Sequence, residues 1–327
     1  MLIKVPDYFL SFRCIADKCN DSCCIGWEID IDEDSKLKYE LLDTPLGQEI
    51  REKTSPGYFP LGKNGRCAFL DERGLCRIIS GLGEGYLCDI CNEHPRYYGV
   101  SENGYEAGLG LGCEEAARII LSLKKIPKLV QIERDIPYRD EDEFAKISDR
   151  IRNDLFDDIF KLHTTELMGK YIAYASFADE VSFEASTSRK NVAIPKLQYT
   201  PAETDDLRKL YIAFLDTLAG CEPLTNDWTK LTEKLGGVNI DNILRREDVL
   251  RPLLYYFTHR YVREGVDDMS LGARVLFALC SSLCITELTE VVNSDDRGVK
   301  SSVLYSKNIE YSTDNVSMIL DGLCEFL

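Results

Sequence analysis

The chain has 327 residues, 44% hydrophobic and 29% charged, with 39 basic against 56 acidic side chains and a net charge of −17. That length exceeds what one core usually spans, so two unequal domains are expected, and the composition excludes fibrous, low-complexity and disordered classes. The acidic balance argues against a nucleic-acid or anionic-membrane surface, because phosphate binding needs clustered Lys and Arg.

The opening MLIKVPDYFLSF lacks the apolar run of a secretory signal. Cys14, Cys19, Cys23 and Cys24 then fall within eleven residues. Trp27 to Asp32 alternates apolar and acidic residues, which predicts a short half-buried strand. Asp32 or Asp34 caps a helix to about Leu42, and Thr44-Pro45 stops it and opens another short helical turn. After the Ser55-Pro56-Gly57 loop, Cys67 to Asp71 reads as a strand and Asp71 to Gly74 as a tight turn with Gly74 at positive φ. Leu75 to Ile79 is the return strand or a helix start. This turn pins Cys67 near Cys76. Cys88-Asp89-Ile90-Cys91 precedes His94-Pro95, where the residue before proline is pushed into an extended conformation.

Arg96 to Val100 and Tyr105 to Gly112, joined by Glu102-Asn103-Gly104, predict a hairpin. Cys113 stands at the start of a helix over 114–123, whose N-terminus is expected to lower its thiol pKa. Lys128 to Ile136, ended by Pro137, predicts one more strand. From Phe144 through Ile147, Ile151, Leu155 and Ile159 to Leu162, apolar residues recur at three and four, which predicts an amphipathic helix. Similar stripes cover 167–181, 207–218, 250–261 and 269–291, with Pro195, Pro201 and Gly236-Gly237 in the loops between them. Cys280 and Cys284 read as core residues on the apolar face of the last stripe. Its most apolar part, Val275 to Ile285, contains two serines and is too short to span a bilayer. The expectation is a cytoplasmic protein of the α+β class, mainly α. A cysteine-rich metal-binding domain over 1–123 precedes a helical domain over 124–327, with neither nucleic acid nor membrane as partner.

Thirteen cysteines is a high number for a reducing compartment, where structural disulfides are disfavoured. Nine lie in the first third: Cys14, Cys19, Cys23, Cys24, Cys67, Cys76, Cys88, Cys91 and Cys113. Adjacent Cys23 and Cys24 do not bond to each other without strain, so each sulfur looks outward. Thiolates converging from turns and helix starts are what a transition metal or an iron–sulfur cluster needs. Nine exceed the four ligands of one tetrahedral site, leaving room for a second site or for buried or redox-active thiols, and zinc and iron–sulfur both fit all-sulfur ligation. The spacing is not the Cys-x3-Cys-x2-Cys loop of radical enzymes that cleave S-adenosylmethionine. Gly108-Leu-Gly-Leu-Gly112 lacks the dinucleotide-binding fingerprint and reads as a close backbone approach beside Cys113. His259 reads as a satisfied helix histidine.

FRCIADKCNDSCCIGWEIDID, CAFLDERGLCRIISGLGEGYLCDICNEHPR and LGCEEAARIIL resemble the flagellin lysine N-methylase family, in that order and at comparable spacing. This N-terminal third also resembles zinc- or iron-chelating cysteine-rich domains. The resemblance covers about residues 10–123 and extends loosely to 255–261. It implies methyl transfer from S-adenosylmethionine to the ε-amino groups of flagellin lysines, with flagellin as protein partner. It also implies an iron–sulfur cluster, 4Fe-4S rather than zinc, held by the N-terminal cysteines. His94 stands where the family has an aromatic residue and is read as packing, and Glu114 stands where it has Pro. Methyl transfer requires a neutral amine, and an acidic, tyrosine-lined pocket would suit a lysine; Glu28, Asp30, Asp32, Tyr97, Tyr98 and Tyr105 are candidates. The alternatives are a non-enzymatic zinc- or iron-binding module and a thiol redox protein using Cys23-Cys24 or Cys88-Cys91.

Overall fold

A computed structural model describes residues 1–20, 22–102, 104–134, 145–188, 197–225, 228–263, 269–293 and 296–327. The expectations at Asn103, Pro137, Phe144 and Pro195 lie outside these described residues. Among the described residues the chain is mainly helical with a four-stranded sheet and a two-stranded one, as the stripes and the hairpin predict.

Strand β1 (Leu2–Pro6) buries Ile3 and Val5 and turns Leu2 outward. The cysteine-rich segment follows. Within it β2 (Ile29–Asp30) pairs antiparallel with β3 (Tyr58–Phe59), a much shorter ladder than the alternation predicts. Between them run α1 (Glu33–Glu40) and α2 (Pro45–Lys53). Asp32 caps α1 by accepting the Ser35 N–H at 2.8 Å, and its other oxygen accepts the Asp89 N–H at 2.9 Å, so one carboxylate ties two segments together. Thr44 caps α2 through the Gly47 N–H.

The strand expected over Cys67 to Asp71 does not form; isolated bridges Leu61 to Cys67 and Leu70 to Cys76 replace it. The reason is local. Asp71 Oδ1 accepts the N–H groups of Arg73 and Leu75, and Gly74 takes φ +81°, so a side-chain-stabilised turn outcompetes a ladder. Helices α3 (Arg77–Leu82) and α4 (Asp89–Glu93) follow. Ile29, Ile31, Tyr39, Ile50, Phe59, Phe69, Ile78 and Cys88 pack as an apolar cluster of their own.

β4 (Arg96–Ser101) and β5 (Gly104–Leu109) form the expected hairpin. β5 runs parallel to β1, α5 (Glu114–Leu121) follows, and β6 (Leu129–Glu133) returns antiparallel on the other side of β1. The sheet order is therefore β4-β5-β1-β6.

Helices α6 (Ala145–Phe156), α7 (Thr164–Ser188), α8 (Thr204–Gly220), α9 (Trp228–Thr232), α10 (Ile240–Arg245), α11 (Glu247–Tyr261) and α12 (Leu271–Val292) build the larger core. α13 (Val299–Tyr305) leads through a wide turn at Ser306–Glu310 into α14 (Thr313–Cys324). By length and composition α12 could cross a bilayer, but α7, α11 and α14 cover it and 83% of its most apolar stretch is buried inside the protein. Cys280 and Cys284 are core residues as expected, on a helix apolar all round rather than on one face. Its serines are silenced locally: Ser282 donates to the Ala278 carbonyl and Ser281 bonds the Tyr305 hydroxyl, both at 2.7 Å.

Candidate functional site

A cavity of about 770 Å³ opens against the cysteine-rich segment. Cys14, Cys19, Cys23, Cys24, Cys76, Cys91 and Cys113 line it, with Cys67 and Cys88 set behind its wall. Local folding explains their convergence. Cys76, Cys88 and Cys113 each sit at the N-cap of a helix, and the Cys67 N–H donates to the Cys24 carbonyl at 2.8 Å. The thiols fall into two groups that act on one another electrostatically. Cys24 acts most strongly on Cys23, followed by Cys113 and Cys14, and Cys24 also acts on Cys67, Cys76 and Cys91, with Cys88 in that second group, so the two groups meet at Cys23 and Cys24. Among the described residues no three His, Cys, Asp or Glu side chains converge closely enough to hold a metal ion, so both groups are loose.

Cys23 and Cys24 lie 3.8 Å apart and share a proton: the bond from Cys23 pulls the Cys24 thiol down to about 7 against burial, with help from Ser22, Lys307 and Arg66. Cys88 is lowered in the same way by the bond from Cys91, and Cys91 is raised. Both lowered thiols, Cys24 and Cys88, therefore fall in the second group, where the shift favours the thiolate, the ligating form. The expectation for Cys113 is corrected. Burial raises its thiol, outweighing the helix N–H groups of Ala116 and Glu115.

Two residues that hold this segment carry no local sequence signal. Glu114 accepts the Asn20 N–H at 2.6 Å and the Asn20 amide at 3.1 Å, and it pairs with Arg118 at 2.7 Å. Its carboxylate latches the Cys19 turn onto α5. Lys307 reaches from the turn before α14 to the Ser22 carbonyl at 3.1 Å.

A second cavity, of about 500 Å³, shares the wall of Trp27, Ile90, His94, Pro95 and Arg96 with the first. Its floor explains the glycine repeat. A methyl group on Gly108 would collide with the Tyr97 hydroxyl, one on Gly110 would lie 3.3 Å from Arg260 Nη1, and one on Gly112 would collide with the Tyr311 hydroxyl. Alternate positions along an extended chain share a face, so the three glycines make a bare strip on which Tyr97, Arg260 and Tyr311 lie. The close approach expected there is made by these side chains. Gly112→Ala should cost about 1–3 kcal/mol by overpacking. Melting curves should show that cost almost vanishing in a Tyr311→Ala background, a coupling that ordinary helix or loop destabilisation would not produce.

Above the strip, Arg260 sits over the rings of Tyr97, Tyr261 and Tyr256 at 4.9, 5.3 and 6.0 Å. Its Nη1 donates to the Tyr256 hydroxyl, and Tyr256 and Tyr261 both donate to Glu310 Oε1. The spacing of Tyr256 and Arg260, four apart on α11, was the available signal for this pairing. Of the residues proposed for a lysine pocket, Tyr97 and Tyr98 line this cavity, Asp32 is spent on capping, Glu28 and Asp30 are exposed on the surface, and Tyr105 packs against the core.

His259 lies deeper and is satisfied, bonded by Tyr97 at 2.7 Å beside a buried network. Glu106 pairs there with Arg263 at 2.9 Å and with Arg152 at 3.1 Å, and Arg152 pairs with Asp149 at 2.9 Å. Burial and the two guanidinium groups hold the His259 imidazole neutral.

Curated proteins of Salmonella are similar to this chain over about a third of its length. It is 30% identical over 133 residues to the flagellar biosynthetic protein FliU of Salmonella muenchen, covering 37% of this chain and 77% of that protein. It is 31% identical over 134 residues to the lysine-N-methylases of Salmonella typhimurium LT2 and Salmonella choleraesuis SC-B67, covering 37% of this chain and 32% of each. No family model and no solved structure matches the chain.

Proposed function

Because the chain belongs to the flagellin lysine N-methylase family, we propose that it methylates the ε-amino group of flagellin lysines, with S-adenosylmethionine as donor. The observation that supports this reading is the pair of cavities sharing one wall, one lined by seven thiols and the other by tyrosines. The reaction forms an N–C bond as the S–C bond breaks, the sulfur keeps that electron pair and leaves as a thioether, and the amine loses one proton. The amine must arrive neutral, so the protein has to lower the lysine pKa or remove its proton. A second positive charge beside the amine and a desolvating wall both do so, and Arg96, on the wall shared by the two cavities, is placed for it.

The nine N-terminal thiols fit an iron–sulfur cluster by donor chemistry, since they are all-sulfur and two of them, Cys24 and Cys88, are lowered toward the thiolate form. Cys14, Cys23 and Cys113 would hold one site, with Cys19, bonded to Glu114 beside Cys113, as its fourth sulfur, and Cys24, Cys67, Cys76, Cys88 and Cys91 would supply a second. When bound, such a cluster would supply one-electron chemistry or a Lewis-acidic iron at the cavity. Zinc there would instead serve as a structural clamp.

The test is anaerobic purification followed by incubation with labelled S-adenosylmethionine and flagellin. Label on flagellin lysines from a brown, iron- and sulfide-containing protein is expected. A colourless, zinc-containing protein that leaves flagellin unlabelled would replace the enzyme with a metal-binding module.

A further inference from the structure

We propose that the cavity walled by Trp27, His94, Arg96, Arg260 and Tyr311 is where the methyl donor binds, its purine against the Trp27 and Tyr311 rings and its carboxylate on Arg260. This rests on the methyltransferase reading and says which side of the shared wall the donor occupies. Three kinds of observation converge on it.

The first is size and surface. About 500 Å³ suits a ligand of this class, and the Trp27 and Tyr311 rings, 5.3 Å apart at 52°, present π faces that purines and sulfonium cations both favour.

The second is charge. Glu93 is taken up by Tyr98 and by Arg134 at 2.6 Å, and Glu310 faces Arg260 from behind, so the lining keeps Arg96 and Arg260 as its basic groups and Asp89 as its other acidic one. Such a wall repels a charged lysine and attracts a carboxylate. Arg260 is presented rigidly, because Tyr256 and Glu310 hold one edge of its fork from behind while 21% of the side chain stays exposed.

The third is unmet bonding. The His94 Nε2 and Arg96 Nε atoms of the shared wall are buried and have no hydrogen-bond partner among the described residues. Both atoms are sealed behind the wall, so a ligand rich in ring nitrogens and ribose hydroxyls would meet them only with a small shift of the His94 and Arg96 side chains. The Trp27 indole also donates to the Cys23 carbonyl at 2.8 Å, so a base stacked there lies beside the thiol-lined cavity.

The experiment is calorimetric binding of S-adenosylhomocysteine and of adenosine to the whole chain, with folding of each variant checked by its melting curve. Trp27→Leu should weaken both ligands by about tenfold or more. Arg260→Met should weaken S-adenosylhomocysteine by a similar factor and leave adenosine within about twofold, since only the former carries a carboxylate. S-adenosylhomocysteine should quench the fluorescence of the native chain and not of Trp27→Leu, whose remaining Trp228 is buried on α9. If the native chain binds S-adenosylhomocysteine and both variants bind it equally well, the donor lies elsewhere and the methyltransferase reading stands. A native chain that neither binds it nor labels flagellin overturns both.

Discussion

Glu106→Gln is expected to destabilise the protein by about 3–5 kcal/mol in urea unfolding at pH 7, far more than any surface charge deletion. Glu106 on β5 is 3% exposed and faces Arg152 of α6 and Arg263 after α11, themselves 3% and 2% exposed. Removing its charge leaves two buried guanidinium groups with only Asp149 to balance them. A loss under about 1 kcal/mol would mean that water reaches the network. Arg246→Ala, which breaks a pair with Glu290 on exposed side chains, should cost no more than about 1 kcal/mol.

The pH dependence has a definite sign. Burial pushes the Glu106 carboxyl up, but Arg263 and Arg152 pull harder, so its folded pKa lies below the ordinary carboxylate value. A depressed acid contributes stability that is complete above the unfolded value of about 4.3 and lost as pH falls through the folded one. Asp149, raised by burial, acts with the opposite sign. The difference between native protein and Glu106→Gln should therefore be flat above about pH 5 and shrink in more acidic solution.

Cys24→Ala is expected to lower the iron of the cluster it ligates to about a tenth or less of the native content, measured per chain after anaerobic purification, given how steeply affinity depends on every ligand. Cys23→Ala should do the same for any cluster held with Cys14 and Cys113. Since the two neighbours face different thiol groups, the pair of variants also counts sites. Loss in one variant alone marks a single cluster and names its group, and partial loss in each marks two. Full iron in both would sink the cluster assignment. Cys280→Ala is the control, because that thiol is sealed in the α12 core and should keep its iron while losing stability.

What the sequence disclosed was what short-range chemistry controls. Asp32 and Thr44 as caps, Gly74 at positive φ, the β4-β5 hairpin and Cys113 at a helix start all depend on residues within five positions. The long amphipathic stripes declared α6, α7, α8 and α11 for the same reason. β1 went unread because its pairing partners are about a hundred residues away and its five residues include Lys4 and Pro6. The site shows the same division. Nine cysteines were visible, yet their sorting into two groups, the Glu114 latch and the Lys307 contact depend on tertiary approach. So does the Arg260 and Glu310 pair, whose members lie fifty positions apart.

The position of β1 bears on how the thiols are brought together at all. Its pairing with β5 draws together the ends of a loop of roughly ninety residues containing eight of the nine N-terminal cysteines, a closure costing on the order of 4 kcal/mol of chain entropy. Once the sheet has formed, that cost has been met, and the two cysteine runs meet Cys113 at the high local concentration of a tethered ring. A chain with β1 unpaired presents the same sulfurs diluted along a coil, so the thiol-lined cavity assembles only after β5 has been made.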